Sequence, residues 1–284
     1  MSACPPPRAF RRARLVRNET LAEGIFELEF DWTGPAPASG QFFLLRPVRG
    51  SVLLGRAISV YGWAGTPSPG DRASEESADS SRDRASLESA AGRLRFLIAE
   101  RGIGTRELRD LRVGETAELV GPLGNSWKSA SHRLGGRGAA RRPIALVGGG
   151  IGLAPLIHFA SELSADSFDL YAGFRSRPYG LRDVRPRKLI IATEDGYEGH
   201  EGRITEVIDW SAYGSVYACG PEPMLRAVAA ACKTTGVPAL LSLERRMACG
   251  VGACLGCTVR TTRGNRRCCA DGPIFTGEEI VFDD

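Results

Sequence analysis

Histidine is scarce in this chain, with three in 284 residues. His132, His158 and His200 are scattered, and none stands beside a nucleophile motif, so each reads as surface or core and no hydrolytic or acyl-transfer centre is expected. No apolar stretch approaches the roughly 20 residues a helix needs to cross a bilayer. The opening Met-Ser-Ala-Cys-Pro-Pro-Pro-Arg lacks the apolar core of a signal peptide, so no membrane contact and a cytoplasmic location are expected. Excess charge is missing too. A net +4 with no basic run alternating with aromatics excludes a nucleic-acid binder. The composition, 43% hydrophobic and 25% charged, is that of a soluble globular protein long enough for about two domains.

Cysteine, by contrast, is concentrated. Five of eight fall between Cys249 and Cys269. Cys249, Cys254 and Cys257 follow a C-x4-C-x2-C spacing, with a fourth thiolate at Cys268 or Cys269, as in plant-type [2Fe–2S] sites. Gly250, Gly252 and Gly256 suit a loop that wraps its backbone round a compact inorganic core and turns N–H groups towards the sulfurs. A zinc site would more naturally repeat C-x2-C, and disulfides belong to short secreted chains.

The first half reads as short strands separated by Gly/Pro turns, the pattern of a barrel. Strands are expected at 24–30, 40–47, 52–61, 93–99 and 118–120, with a short helix over 105–111 whose start, beside the glycines of Gly102-Ile103-Gly104-Thr105, suits an anion. Residues 64–91 are rich in Ser, Asp, Glu, Arg and Pro and nearly devoid of apolar side chains, so a disordered insertion is expected there.

After a basic, glycine-rich linker at 128–142, strands alternate with helices. An apolar strand at 143–147 runs into Gly148-Gly149-Gly150-Ile151-Gly152-Leu153-Ala154-Pro155 and a helix over 155–163. Such a turn lets backbone approach a pyrophosphate. Further strands are expected at 168–174, 188–193 and 215–218, with a helix at 205–210 and another opened by Cys219-Gly220-Pro221-Glu222-Pro223. The outcome is a doubly wound parallel sheet, whose ligands lie beyond the carboxyl ends of its strands. Arg175, Ser176 and Arg177 fall at one such end, and the choice between NAD and NADP turns on them.

In this order the motifs resemble the ferredoxin–NADP reductase superfamily and, more closely, the electron-transfer subunits of NAD-dependent dihydroorotate dehydrogenases. The resemblance covers nearly the whole chain outside the insertion and linker. Its most specific part is Leu243 to Cys257 together with Cys269-Ala270-Asp271-Gly272-Pro273-Ile274-Phe275. In that family the last cluster ligand immediately precedes an x-Asp-Gly-Pro turn, which matches Cys269 and leaves Cys268 as its neighbour. The resemblance implies an antiparallel FAD-binding β-barrel at 1–127, an NAD-binding α/β domain at 143–238 and a small [2Fe–2S] lobe at 239–284. Arg56-Ala57-Ile58-Ser59 matches the family's Arg-Pro-x-Ser motif, with Ala57 in place of proline. There the arginine pairs with the FAD pyrophosphate and the serine reaches the isoalloxazine edge. Leu97-Ile98-Ala99 and Gly104-Thr105 match the other flavin segments. Gly148, Gly149, Gly150, Gly152 and Pro155, with Cys219, Gly220 and Pro221, match the nucleotide motifs.

The resemblance also implies a partner, an FMN-containing catalytic dihydroorotate dehydrogenase chain in a hetero-oligomer. Electrons would pass from its FMN through [2Fe–2S] and FAD to NAD+ in pyrimidine biosynthesis, with Arg245, Arg246 and the cluster lobe at the interface. Reductase subunits serving a hydrogenase, a sulfur reductase or an NADH-dependent ferredoxin:NADP oxidoreductase share the relay motifs and stay open as alternatives. An oxygenase reductase usually carries a larger ferredoxin domain with a longer gap to the last cysteine, and a redox or iron sensor need not keep FAD.

Overall fold

The computed structural model describes residues 8–65, 90–134, 142–182 and 184–282. The chain separates into two compact units, one of residues 1–38 and 42–123 and the other of 39–41 and 124–284.

The first unit contains β1 (Ala9–Ala22), β2 (Ile25–Gly34), β3 (Phe42–Pro47), β4 (Arg56–Ser59), β5 (Gly62–Gly65), β6 (Ala90–Ala99), α1 (Ile103–Arg109) and β7 (Thr116–Leu123). The seven strands form one antiparallel sheet in the order β4-β3-β7-β1-β2-β6-β5. Its two edge strands, β4 and β5, are separated along the chain only by Val60 and Tyr61. So short a link draws the edges together and curls the sheet on itself. Period-two alternation fills the interior: Phe26, Leu28, Phe30 and Trp32 of β2 are all buried. Trp32, Phe43, Phe96 and Phe30 meet edge to face in turn, at centroid distances of 5.0, 5.8 and 6.2 Å. The buried carboxylate of Glu27 is answered by Arg17 and by Arg95, whose Nε donates at 2.7 Å.

The strand expected across 52–61 is confined to β4, because Leu53 and Leu54 point into solvent. Of the expected insertion, Ala64 and Gly65 finish β5 and Ala91 lies in β6. Residues 66–89, where the disorder was expected, lie outside the described residues.

The second unit contains α2 (Trp127–Ser131), β8 (Ile144–Gly149), α3 (Leu153–Ala160), β9 (Phe168–Phe174), β10 (Lys188–Thr193), β11 (His200–Glu201), β12 (Ser215–Cys219), α4 (Glu222–Thr235), β13 (Ala239–Ser242), β14 (Thr258–Thr261), β15 (Gly264–Arg267) and β16 (Ile274–Thr276). Its main sheet runs β11-β10-β9-β8-β12-β13-β16, parallel throughout except for β16. Strands β14 and β15 form a separate hairpin. The chain leaves β8 towards β9 on one side and later returns to β12 on the other, so the strand order reverses at β8 and β12. Ligands bind at such a switch point in open α/β sheets.

A buried acid helps fix this sheet. Asp169 receives Arg187 through a fork at 2.8 and 2.7 Å and the Tyr213 hydroxyl at 2.7 Å. Burial opposes its ionisation, but these donors outweigh it and hold the carboxyl below its ordinary range.

Three local expectations are corrected. Residues 205–210 form no helix, only single 3-10 turns at Ile204–Glu206 and Trp210–Ala212. The β-branched Ile204, Thr205, Val207 and Ile208 disfavour a helix, and Asp209 caps the second turn by accepting from Ser211 N. The linker at 128–142 begins inside α2, which Ser126 caps by accepting from Ser129 N; residues 135–141 lie outside the described residues. Finally, the expected lobe at 239–284 shares β13 and β16 with the main sheet.

Candidate functional site

The loop between β13 and β14 and the turn after β15 bring the five cysteines together, and backbone geometry sorts them. Gly252 N–H points at Cys269 Sγ (3.1 Å), Cys269 N–H at Cys257 Sγ (3.4 Å) and Cys254 N–H at Cys249 Sγ (3.5 Å). Amides aimed at sulfur favour thiolates. Those of Cys254 and Val251 pull the Cys249 thiol down to about 6. Burial, reinforced by the neighbouring Cys257 sulfur, pushes Cys269 up to about 12. A cation would have to ionise that thiol, so metal loading here releases a proton.

Cys268 faces the other way. Its side chain is fully buried and its thiol donates to the Leu243 carbonyl at 3.2 Å. Of the two cysteines that spacing leaves open, Cys269 thus receives a backbone N–H at its sulfur, whereas Cys268 gives its thiol to a carbonyl. Among the described residues no three His, Cys, Asp or Glu side chains gather round a point that one metal ion would fill.

Residues that spacing does not reveal brace the loop. Arg267 donates from Nε and Nη2 to Asp271, both at 2.9 Å, and its backbone N–H adds a third bond at 2.7 Å. The Arg267 contacts hold the Asp271 carboxyl below its usual range. Asn125 clamps the turn that follows, exchanging bonds with Ile274 N and O at 3.0 and 2.8 Å and donating its own N–H to Gly272 O at 2.7 Å. The surface of the loop is apolar: Val251 is 42% and Leu255 61% exposed. Leu255 is the one described non-glycine residue with positive φ, at 58°. Cys254 and Arg246 are exposed beside them, whereas Arg245 is engaged by Glu222 at 3.1 Å and is no free surface charge.

In the barrel, Arg56 opens β4 and Gly104 lies on α1. A Cβ on Gly104 would sit 2.6 Å from the Arg56 guanidinium carbon, so the cation lies directly on the glycine backbone. Ala57 is exposed, while Ile58 and Ser59 are half-buried. The Thr105 hydroxyl is spent locally, accepting from Arg101 N and Gly102 N at 2.8 and 3.1 Å. Leu97, Ile98 and Ala99 pair with β2 on one side; among the described residues no strand pairs with them on the other, because β5 stops opposite Arg95.

At the switch point, glycine permits backbone to meet backbone. A Cβ on Gly152 would lie 2.6 Å from both the Cys219 carbonyl carbon and Gly220 N. One on Gly149 would lie 2.8 Å from Pro221 Cδ and Met224 Sδ, and one on Gly148 2.7 Å from Leu153 Cγ. Gly150 alone of the four has positive φ, at 54°. The turns after β8 and β12, carrying Gly148 to Pro155 and Cys219 to Pro221, therefore interlock at the carboxyl ends of adjacent strands. Cys219 is buried there with its thiol pushed out of the physiological range, so it acts as a small neutral group. Beyond β9 and β10, Arg177 lies over the Tyr197 ring at 5.2 Å, and Asp195 is held below its ordinary range by Ser176 and by Tyr197 N.

His158, on α3, is buried with Nδ1 unpartnered, and burial lowers its pKa to about 4. Glu162 lies 4.0 Å away and would favour the charged form. That carboxylate already accepts from Ser39 N and Oγ, so burial dominates and the imidazole stays neutral.

A curled antiparallel barrel, a parallel nucleotide-type sheet and a cysteine-ligand loop together define a flavin- and nicotinamide-linked reductase fold with an iron–sulfur lobe. The fold is similar to that of the NADH-dependent reduced ferredoxin–NADP oxidoreductase structure, at a TM-score of 0.67 and 23% identity over 99% of this chain and 91% of that one. Residues 244–281 match the iron–sulfur cluster binding domain of dihydroorotate dehydrogenase B. The chain is 33% identical to the electron transfer subunit of dihydroorotate dehydrogenase B (NAD(+)) from Clostridium acetobutylicum, covering 95% of this chain and 97% of that protein. It is 34% identical to the Clostridium perfringens counterpart, covering 95% and 98%. The chain belongs to the family of dihydroorotate dehydrogenase B electron transfer subunits. Among the described residues no helix is long and apolar enough to cross a membrane.

Proposed function

We propose that this chain carries electrons from a dihydroorotate-oxidising catalytic chain to NAD+ in pyrimidine biosynthesis, as a cytoplasmic hetero-oligomer with an FMN-containing partner. Bound flavin exchanges hydride with nicotinamide and single electrons with an iron–sulfur centre, which explains why one chain needs all three. The observation that carries this is the sorting of the cysteines by backbone amides, with Cys268 turned away to Leu243. Cys249, Cys254, Cys257 and Cys269 hold the [2Fe–2S] cluster. Arg56 binds the FAD pyrophosphate against Gly104, Ser59 reaches the isoalloxazine, and Leu97, Ile98 and Ala99 offer their open backbone edge. The turns at 148–155 and 219–221 seat NAD.

The partner meets the cluster loop through Val251 and Leu255, with Arg246 at the rim. An exposed apolar pair, one member held in a strained conformation, fits a buried contact better than a solvated surface. With both chains co-expressed, NAD+ reduction should require dihydroorotate and both polypeptides. Leu255→Asp with Arg246→Glu should keep iron and flavin yet lose co-purification and NADH formation. Intact complex and activity in that variant would place the partner elsewhere. Cofactors without dihydroorotate-dependent NADH would favour a different reductase partner.

A further inference from the structure

Arg266 and Arg267 follow one another on β15, and strand alternation sends them to opposite faces of the hairpin. Arg266 stands in solvent, whereas Arg267 is half-buried against the cysteine loop. The Arg267 guanidinium has two separate tasks. Nε and Nη2 are spent on Asp271, while Nη1 is turned to the Gly252 carbonyl at 3.5 Å. Gly252 in turn gives its N–H to Cys269 Sγ at 3.1 Å. One residue therefore stands between the cation and a sulfur. A Cβ on it would lie 3.1 Å from Nη1. Hydrogen bonding from Asp271, then attraction by Asp271 and by the Cys269 and Cys257 sulfurs, hold the guanidinium pKa above its ordinary value.

The reduction potential of an iron–sulfur centre follows the charge, hydrogen bonding and exposure around its sulfurs. An arriving electron adds one negative charge, which a nearby cation favours. Solvent screens that attraction fully at Arg266 and only partly at Arg267. The fork to Asp271 fixes the guanidinium in place, with the carboxylate along one edge and the cysteine loop beside Nη1. Resting on the assignment of Cys249, Cys254, Cys257 and Cys269 as ligands, we propose that Arg267 raises the reduction potential of the cluster and so favours the one-electron step into it. Asp271, of opposite charge, both holds the cation there and limits how far it acts.

The test uses the full chain, purified anaerobically with its cluster. A mediated redox titration is followed by the electron paramagnetic resonance signal of the reduced centre. At the wild-type midpoint, Arg267→Gln should lower the reduced-to-oxidised ratio about fivefold, roughly 40 mV for one electron. Arg267→Lys keeps the charge and should stay within about twofold, as should Arg266→Gln, which removes the same charge from the other face. An unchanged midpoint in Arg267→Gln would overturn the proposal and leave the side chain a brace. An equal fall in Arg267→Lys would overturn it too, because geometry and not charge would then set the potential. So would an equal fall in Arg266→Gln, which would show that only net charge is felt. If Arg267→Gln loses its iron, Asp271→Asn carries the test: removing the opposing charge should raise the midpoint, and a fall or no change overturns the proposal. Wild-type protein without a [2Fe–2S] signal would instead refute the ligand assignment itself.

Discussion

The second unit has two glycine-rich segments, residues 148–152 and 249–257, and they use glycine for opposite reasons. In the first, what matters is the missing side chain: Gly148, Gly149 and Gly152 have ordinary φ, yet a Cβ would run into Leu153 at the first and into the turn after β12 at the other two. In the second, Gly250 and Gly252 have φ of 67° and 83°, and the twist they allow helps turn amides inward onto sulfur. Gly256 has ordinary φ, and among the protein's own atoms only Cys254 Sγ, at 3.6 Å, comes near a Cβ there. One segment is closed by packing and the other shaped to hold something.

The sharpest way to break this contrast is at adjacent cysteines. Cys269→Ser should abolish the cluster's visible absorbance and iron content, whereas Cys268→Ser should retain both and lose at most about 1–2 kcal/mol of stability from the missing bond to Leu243. Equal loss in the two variants would mean that the amide geometry does not choose the ligand.

A second test addresses pH, through the helix that follows the packed segment. His158 is depressed to about 4 in the folded protein against 6.5 when exposed. The unfolded chain therefore takes up the proton first, and the stability present above pH 6.5 is lost as pH falls towards 4. The full loss is about 3 kcal/mol. In urea titrations at pH 7 and pH 4.5, His158→Phe should flatten this part of the acid decline; an unchanged slope would show that the imidazole is solvated.

Smallest in scale is the comparison of single methyl groups. Gly152→Ala should cost roughly 2–3 kcal/mol and weaken NAD binding, because the atoms in its way are backbone. Gly256→Ala should change the stability of the metal-free protein by no more than about 0.5 kcal/mol. Comparable losses at both sites would erase the distinction.

What could be foreseen follows the same division. Strands β9 and β10 were placed to the residue, because continuous apolar runs bounded by polar turns leave little choice. The iron–sulfur domain was legible because its cysteine spacing is local. The bracing of that loop was not: Asn125 reaches Ile274 across nearly 150 residues, and Leu243, just past the end of β13, meets Cys268. Arg245, expected at the partner interface, is engaged by Glu222 on α4, 23 residues before it in the chain. The helix misplaced at 205–210 failed for a local reason, since its apolar period was genuine but β-branched residues supplied it.

The register of Ser242 opposite Ile274 has one more consequence. Everything between Leu243 and Pro273 leaves and re-enters the sheet at a single rung, like a purse whose drawstring is already tied. The entropy of closing that excursion is offset by strand pairing that the protein makes with its own backbone. Stripping the iron should therefore loosen the loop while leaving the β13–β16 pairing in place.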